Sequence, residues 1–306
     1  MRIISPPPLK VGDTVGIVAP ARKISLDEVK PAIAMLEAWG LKVVLGSNLF
    51  KEHHQFAGND LMRASDFQEM INNPDIRAII CARGGYGTVR ILEHVNFNQL
   101  QFNPKWIVGY SDITVLHSYL NMWFNIETIH GTMPINFPKD LVGNESTESL
   151  RRVLFGDNPT YFSEPLAINQ QGAGVGRLTG GNLSVLCSLS GSDADIYTDG
   201  RILVLEDLDE YLYHIDRMMM NLKRSGKLKH LAGLIVGGLS DMRDNQVPFG
   251  CSAEAIIHSI VREYDFPVCY GFPVGHQEPN LALIMGRKVS LTVNDKGGRL
   301  EFLDSD

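Results

Sequence analysis

Three stretches of the sequence end an apolar run on a residue type that serves acyl transfer. KWIVGYSDITVLH, Lys105 to His117, halts at Ser111 and passes at once into a helical pattern. RILVLEDLDE ends in the carboxylates Glu206, Asp207, Asp209 and Glu210, and FPVCYGFPVGH ends at His276. A serine hydroxyl is protonated at neutral pH, so a neutral imidazole has to remove its proton. A carboxylate then has to hold that imidazole in the useful tautomer and stabilise its cation. Ser111, Glu206 and His276 supply one residue of each kind.

Each has a plainer reading as well. Serine is a preferred helix N-cap, and GYSDI lacks the second glycine of a GxSxG elbow, so Ser111 reads either as a cap or as a nucleophile exposed on a sharp turn. As a nucleophile it would have its own or the next backbone N–H, and the following helix dipole, to stabilise an oxyanion. The four carboxylates read as an acidic loop or as the source of an orienting group, and His276 as a loop histidine or a general base. Singly, each plainer reading holds. Together, three groups at strand ends can converge on one cleft, because open parallel sheets present ligand groups at the carboxyl ends of their strands.

RGGYGT, Arg83 to Thr88, lies between an apolar strand and a helical pattern. Its adjacent glycines let backbone N–H groups approach an anion, or simply make a tight turn; the spacing does not match the GxGxxG of a dinucleotide loop. His53 and His54 are adjacent, so their side chains point apart, and no HExxH or comparable spacing occurs among the histidines. Cys81, Cys187, Cys251 and Cys269 are scattered without CxxC spacing and read as buried free thiols. The expectation is no metal and no cofactor.

The elements that must position these groups alternate. TVGIVAP reads as a strand, followed by a helix capped by Ser25 with Asp27 and Glu28 in its first turn. LKVVLG is a strand, LMRASDFQEMINN a helix with Leu61, Ala64, Phe67 and Ile71 on one face, and IRAIICA a strand. GTVRILEHV reads as a helix, KWIVGY as a strand and DITVLHSYLNMWF as a helix. Apolar strands alternating with helices predict a parallel sheet covered on both faces. From about Pro134 to Ala173 the periodicity fades into turn formers. A second set of strands and helices then runs to KVSLTVNDKGGRLEFLD, which reads as a β-hairpin. The fold class is therefore α/β, with an N-terminal parallel-sheet domain over 1–135, a linking or crossing segment over 136–172, and a smaller mixed C-terminal domain over 173–306.

At 306 residues the chain can bury a sizeable core, and 28 Lys and Arg against 35 Asp and Glu give a net charge of −7 with no polybasic run. Nucleic acid is not expected as a partner. No apolar run approaches the roughly 20 residues of a membrane span, and MRIISPPPLKVGD lacks an apolar signal core, which predicts a cytoplasmic protein without membrane association.

The strings TVGIVAP, ARGGYG, GYSDIT, HGTM, LTGGNLSVL, LEDLDE, IDRMM and GFPVGH occur in that order along nearly the whole chain. In this combination the sequence resembles the LD-carboxypeptidase family of serine peptidases, which includes the murein tetrapeptide carboxypeptidases and the microcin C immunity proteins. The resemblance implies a nucleophile at Ser111, a glutamate at Glu206 and a general base at His276. It also implies an oxyanion hole from backbone N–H groups near Gly85 and Asp112, with Asp112 itself capping or bracing the turn. A carboxylate subsite follows at Arg83 and Gly84, where Arg83 reads equally as a structural ion-pair partner. Asp207 or Glu210 stands in for Glu206 if the strand ends later. The implied protein is a homodimer, with the serine on the N-terminal domain and the other two groups on the C-terminal one. The implied reaction is cleavage between the L-centre of a diamino acid and terminal D-alanine in cytoplasmic murein tetrapeptides. The alternatives are hydrolysis of peptidyl or aminoacyl nucleotides, as in the immunity branch, and a non-catalytic muropeptide-binding sensor.

Overall fold

The computed structural model describes residues 3–303; the outermost residues of the two domain ranges, and Asp304 at the end of the hairpin stretch, lie outside them. The chain divides into two compact units, one running to Asp157 and including Leu281–Ile284, the other formed by Asn158–Asn280 and the residues from Met285 onward.

In the first unit the elements are β1 (Thr14–Val18), α1 (Leu26–Ala38), β2 (Lys42–Leu45), α2 (Asp60–Asn72), β3 (Ile76–Cys81), β4 (Trp106–Gly109), α3 (Thr114–Trp123), β5 (Thr128–His130) and α4 (Glu145–Leu154). Strands β1 to β5 pair in parallel in the order β5-β4-β3-β1-β2. Their apolar runs are buried because helices cover the sheet: Val15, Ile17, Ile79, Ile80 and Val108 are at or near zero exposure. The predicted cap at α1 forms a capping box, in which Ser25 Oγ accepts from the Glu28 N–H at 3.3 Å and Glu28 Oε2 accepts from the Ser25 N–H at 2.8 Å. The strand order reverses between β1 and β3, so the connection after β3, RGGYGT, leaves the sheet at its switch point.

The second unit contains β6 (Thr160–Ser163), β7 (Gly172–Asn182), α5 (Leu183–Ser188), β8 (Ile202–Leu208), α6 (Leu212–Arg224), β9 (Gly233–Ser240), α7 (Ala253–Val261) and β10 (Val268–Cys269). After β11 (Leu283–Met285), which joins the first sheet beside β5, come β12 (Lys288–Asn294) and β13 (Gly297–Phe302). The sheet is mixed: β10-β9-β8-β7 is parallel, and β7-β12-β13-β6 antiparallel. Strand β7 serves both halves, its residues 172–177 pairing with β12 and 178–182 with β8. Leu203, Leu205, Leu234 and Val236 pack under Ile215, Met219, Ile256 and Ile257 of the covering helices in a common core.

Several local expectations give way. The stretch 136–172, read as linking, contains α4 and β6; α4 escaped notice because it is a polar, strongly one-sided helix, capped by Asn144. Thr88–His94 is a 3₁₀ segment rather than an α-helix, entered through Gly87 at φ +139°. FPVCYGFPVGH contributes only Val268–Cys269 to the sheet, so His276 stands on a loop. Among the described residues no helix is long and apolar enough to cross a membrane.

Candidate active site

In the first unit Ser111 opens a 3₁₀ turn, Ser111–Ile113, between β4 and α3, with a φ of +63°. A non-glycine residue in the left-handed region costs about 1–2 kcal/mol, and such strain collects where a side chain is held for a purpose. Ser111 makes no side-chain cap bond to the helix that follows; that part of the cap reading is not realised. The corner is pinned from behind by His117, whose Nε2 lies 2.9 Å from the Gly109 carbonyl and whose Nδ1 lies 2.9 Å from Thr128 Oγ. A carbonyl only accepts, so Nε2 carries the proton and the Thr128 hydroxyl donates to Nδ1. Burial, then the neighbouring His130, push the His117 pKa down to about 3, so this ring stays neutral and structural.

The glycine loop lies against the serine. A Cβ on Gly84 would stand 2.9 Å from Ser111 Cβ and 3.0 Å from its Oγ, so only glycine permits this approach. Gly85, at φ +111°, meets the stem of Arg22 instead, whose Cδ is 2.1 Å from where a Cβ would sit. One peptide group of the loop is gripped from both ends: Arg63 Nη1 donates to the Gly87 carbonyl at 2.8 Å, and Asp112 Oδ2 accepts the Thr88 N–H at 2.8 Å. Arg63 also donates to the Pro20 carbonyl after β1 and pairs with Asp60, and its side chain is fully buried. Burial raises the Asp112 pKa against the opposing effect of the Thr88 bonds. Asp112 thus braces the loop onto the turn with its side chain, while its backbone N–H lies beside Ser111. Arg83 donates to the Lys23 carbonyl at 3.1 Å.

In the second unit His276 Nδ1 lies 2.6 Å from Glu206 Oε2, which also accepts the His276 backbone N–H at 3.2 Å. Glu206 is wholly buried at a register shift in β8, between Leu205 and Asp207. The loop passes directly over it because residue 275 is glycine, at φ +94°; a Cβ there would fall 2.5 Å from Glu206 Cβ and 2.7 Å from Oε2. Asn280 Oδ1 accepts the Gly275 N–H at 2.8 Å, and Ser240 Oγ donates to the His276 carbonyl. Burial opposes the imidazolium, but the bond to Glu206 and its charge outweigh it, so the His276 pKa is raised. With the proton on Nδ1 held by Glu206, Nε2 presents the basic lone pair.

Residues 15–131 match the LD-carboxypeptidase N-terminal domain, and residues 175–291 its C-terminal domain. The chain belongs to the LD-carboxypeptidase family. It is 35% identical over 299 residues to a probable murein peptide carboxypeptidase of Bacillus subtilis, covering 97% of this chain and 94% of that one. It is 24% identical over 334 residues to the microcin C7 self-immunity protein MccF of Escherichia coli, covering 94% and 93%. A solved muramoyltetrapeptide carboxypeptidase from Oxalobacter formigenes superposes with a TM-score of 0.85 at 27% identity, covering 95% of this chain and 99% of that one.

Within this LD-carboxypeptidase framework the neighbouring carboxylates are each engaged elsewhere. Asp207 Oδ2 accepts the Ser184 N–H at 2.8 Å and Oδ1 accepts from Asn182 at 3.0 Å; burial and the charge of Glu206 push its pKa up to about 6. Asp209 pairs with Arg243 at 2.5 Å, and Glu210 with His214. Glu206 is the member that faces His276. The sequence reading passed over Gly275, Asn280 and Arg63, and took His117 only as a helix residue, which it is. Of these only Gly275 left a signal, the glycine directly before the histidine in GFPVGH. Among the described residues no cluster of His, Cys, Asp and Glu is arranged to hold a metal.

Proposed function

We propose that this chain is a serine-type LD-carboxypeptidase that removes terminal D-alanine from murein tetrapeptides. The observation that carries the proposal is the buried Glu206 carboxylate on His276 Nδ1 at 2.6 Å, a bond that fixes the imidazole tautomer a general base needs. The strained Ser111 corner supports it from the other unit, and the named murein peptide relative supports the substrate class. In this mechanism Ser111 Oγ attacks the carbonyl that joins the L-centre of the diamino acid to D-alanine. His276 Nε2 takes the hydroxyl proton and returns it to the leaving amine of D-alanine. Water, deprotonated by the same imidazole, then releases the tripeptide from the acyl-enzyme. Backbone N–H groups at Gly85 and Asp112 are assigned to the oxyanion, and Gly84 and Arg83 to the substrate side of the loop. The setting is cytoplasmic peptidoglycan recycling by a homodimer, as the family resemblance implies.

The test is D-alanine release from L-Ala-γ-D-Glu-meso-diaminopimelyl-D-Ala by the purified protein and its Ser111→Ala variant. Release by the wild type that drops at least about 10³-fold in the variant is the expected result. Undiminished release by the variant would refute the mechanism. Cleavage of an aminoacyl-nucleotide amide in place of the tetrapeptide would assign the chain to the immunity branch, and tight tripeptide binding with no turnover would make it a sensor.

A further inference from the structure

A carboxypeptidase has to recognise a free terminal carboxylate, and the cations around the glycine loop are unequal candidates. Lys23 is paired with Glu52 at 2.6 Å, Arg63 with Asp60, and Arg90 with the same Asp60 at 2.7 Å. Arg83 gives an N–H to the Lys23 carbonyl and stands close enough to Glu28 to lower that carboxylate's pKa, behind the bonds that Glu28 receives from Ser25. Among these described residues Arg22 is the one whose guanidinium has neither a hydrogen bond nor an ion pair. It is exposed, yet its backbone is fixed: the segment 21–23 bridges to 55–57 through Arg22 and Phe56, with the Lys23 N–H on the Gln55 carbonyl at 2.9 Å and the Ala57 N–H on the Ala21 carbonyl at 3.2 Å. Its stem lies across Gly85, the residue after the glycine that touches Ser111.

We infer that Arg22 is the specificity residue for the terminal carboxylate of the substrate, its guanidinium reaching over Gly85 to the leaving-group side of Ser111. It rests on the carboxypeptidase assignment above and narrows it: the missing Cβ at residue 85 is what lets the arginine stem lie flat on the loop, and a planar fork of N–H donors suits a carboxylate. Arg83 then serves to hold the segment that carries Arg22, through the Lys23 carbonyl.

The experiment compares kcat and KM for the tetrapeptide and for the same peptide ending in D-alaninamide, using wild type, Arg22→Gln and Arg22→Lys. For Arg22→Gln the expected change is a rise in KM for the free acid of about 10- to 100-fold, with kcat within threefold and the amide unaffected. Arg22→Lys should restore part of the preference. Equal losses on both substrates, or retention of the acid-over-amide preference in Arg22→Gln, would overturn the assignment while leaving the peptidase reading intact. Absence of turnover by the wild type would remove both.

Discussion

Replacing Gly275 with alanine tests the Glu206–His276 pair without touching either member. A Cβ at residue 275 would sit 2.5 Å from Glu206 Cβ and 2.6 Å from Cγ, short of ordinary carbon contact by about 0.9 Å. Glu206 is fully buried in the sheet, so the relief has to come from the loop, lifting His276 away, or from the carboxylate swinging aside. A displacement of that size carries the 2.6 Å Nδ1–Oε2 bond to about 3.5 Å, beyond hydrogen-bonding range. The backbone pays as well, since φ +94° suits glycine alone and costs an L-residue about 1–2 kcal/mol. Full loss of the orienting carboxylate in a serine–histidine triad costs about 10⁴ in kcat, so a partial displacement should cost about 10²–10³, with KM nearly unchanged. The assay is D-alanine release with kcat and KM resolved, beside a thermal melt that accounts for the strain. A Gly275→Ala enzyme that stays folded and keeps kcat within threefold of wild type would show that the bond does not matter to the base.

Two further outcomes follow from the same geometry. In Glu206→Gln the charge that does most to raise the His276 pKa is gone, and burial is opposed only by the smaller effect of the Asp207 charge, so the acid limb of kcat/KM should move from above about 6.5 to below it while the plateau falls about 10³–10⁴-fold. Because the folded-state pKa of His276 is raised, the stability this pair adds is complete below about pH 6.5 and is lost as pH rises through the folded value. Melts of wild type and variant should therefore converge toward alkaline pH, and a gap that widened would reverse the sign assigned to the pair. Arg63→Met strips the Gly87 carbonyl and Asp60 of a buried partner and should cost about 3 kcal/mol in a urea titration, with faster hydrogen exchange at the Thr88 amide. An unchanged midpoint with unchanged Thr88 exchange would show that the peptide is not held from both ends.

What could be read from residues alone was whatever the chain states locally. Buried parallel strands announce themselves as unbroken apolar runs, which is why β1, β3 and β4 and the Ser25 cap were legible. The strand-to-helix corner at Ser111 was visible for the same reason, but its left-handed φ was not, because the apolar pattern does not record the contacts around the corner: Gly84, from the loop after β3, lies against Ser111, and His117 bonds back to the Gly109 carbonyl. The choice among Glu206, Asp207, Asp209 and Glu210 was open in sequence because it is made by their partners, His276, Asn182, Arg243 and His214, up to 70 residues distant. Strand β11 was missed for want of length: three residues, Leu283–Met285, carry no periodicity to count.

That short strand bears on how the protein is made. It joins the first sheet beside β5, about 150 residues back along the chain, after β6 to β10 of the other unit have already been synthesised. During translation the first sheet therefore waits with the β5 edge uncovered until residue 285 leaves the ribosome, and an open edge is a template for pairing with other chains. A gene cut at the unit boundary near residue 157 would make that exposure permanent. The first unit to begin is thus among the last to close.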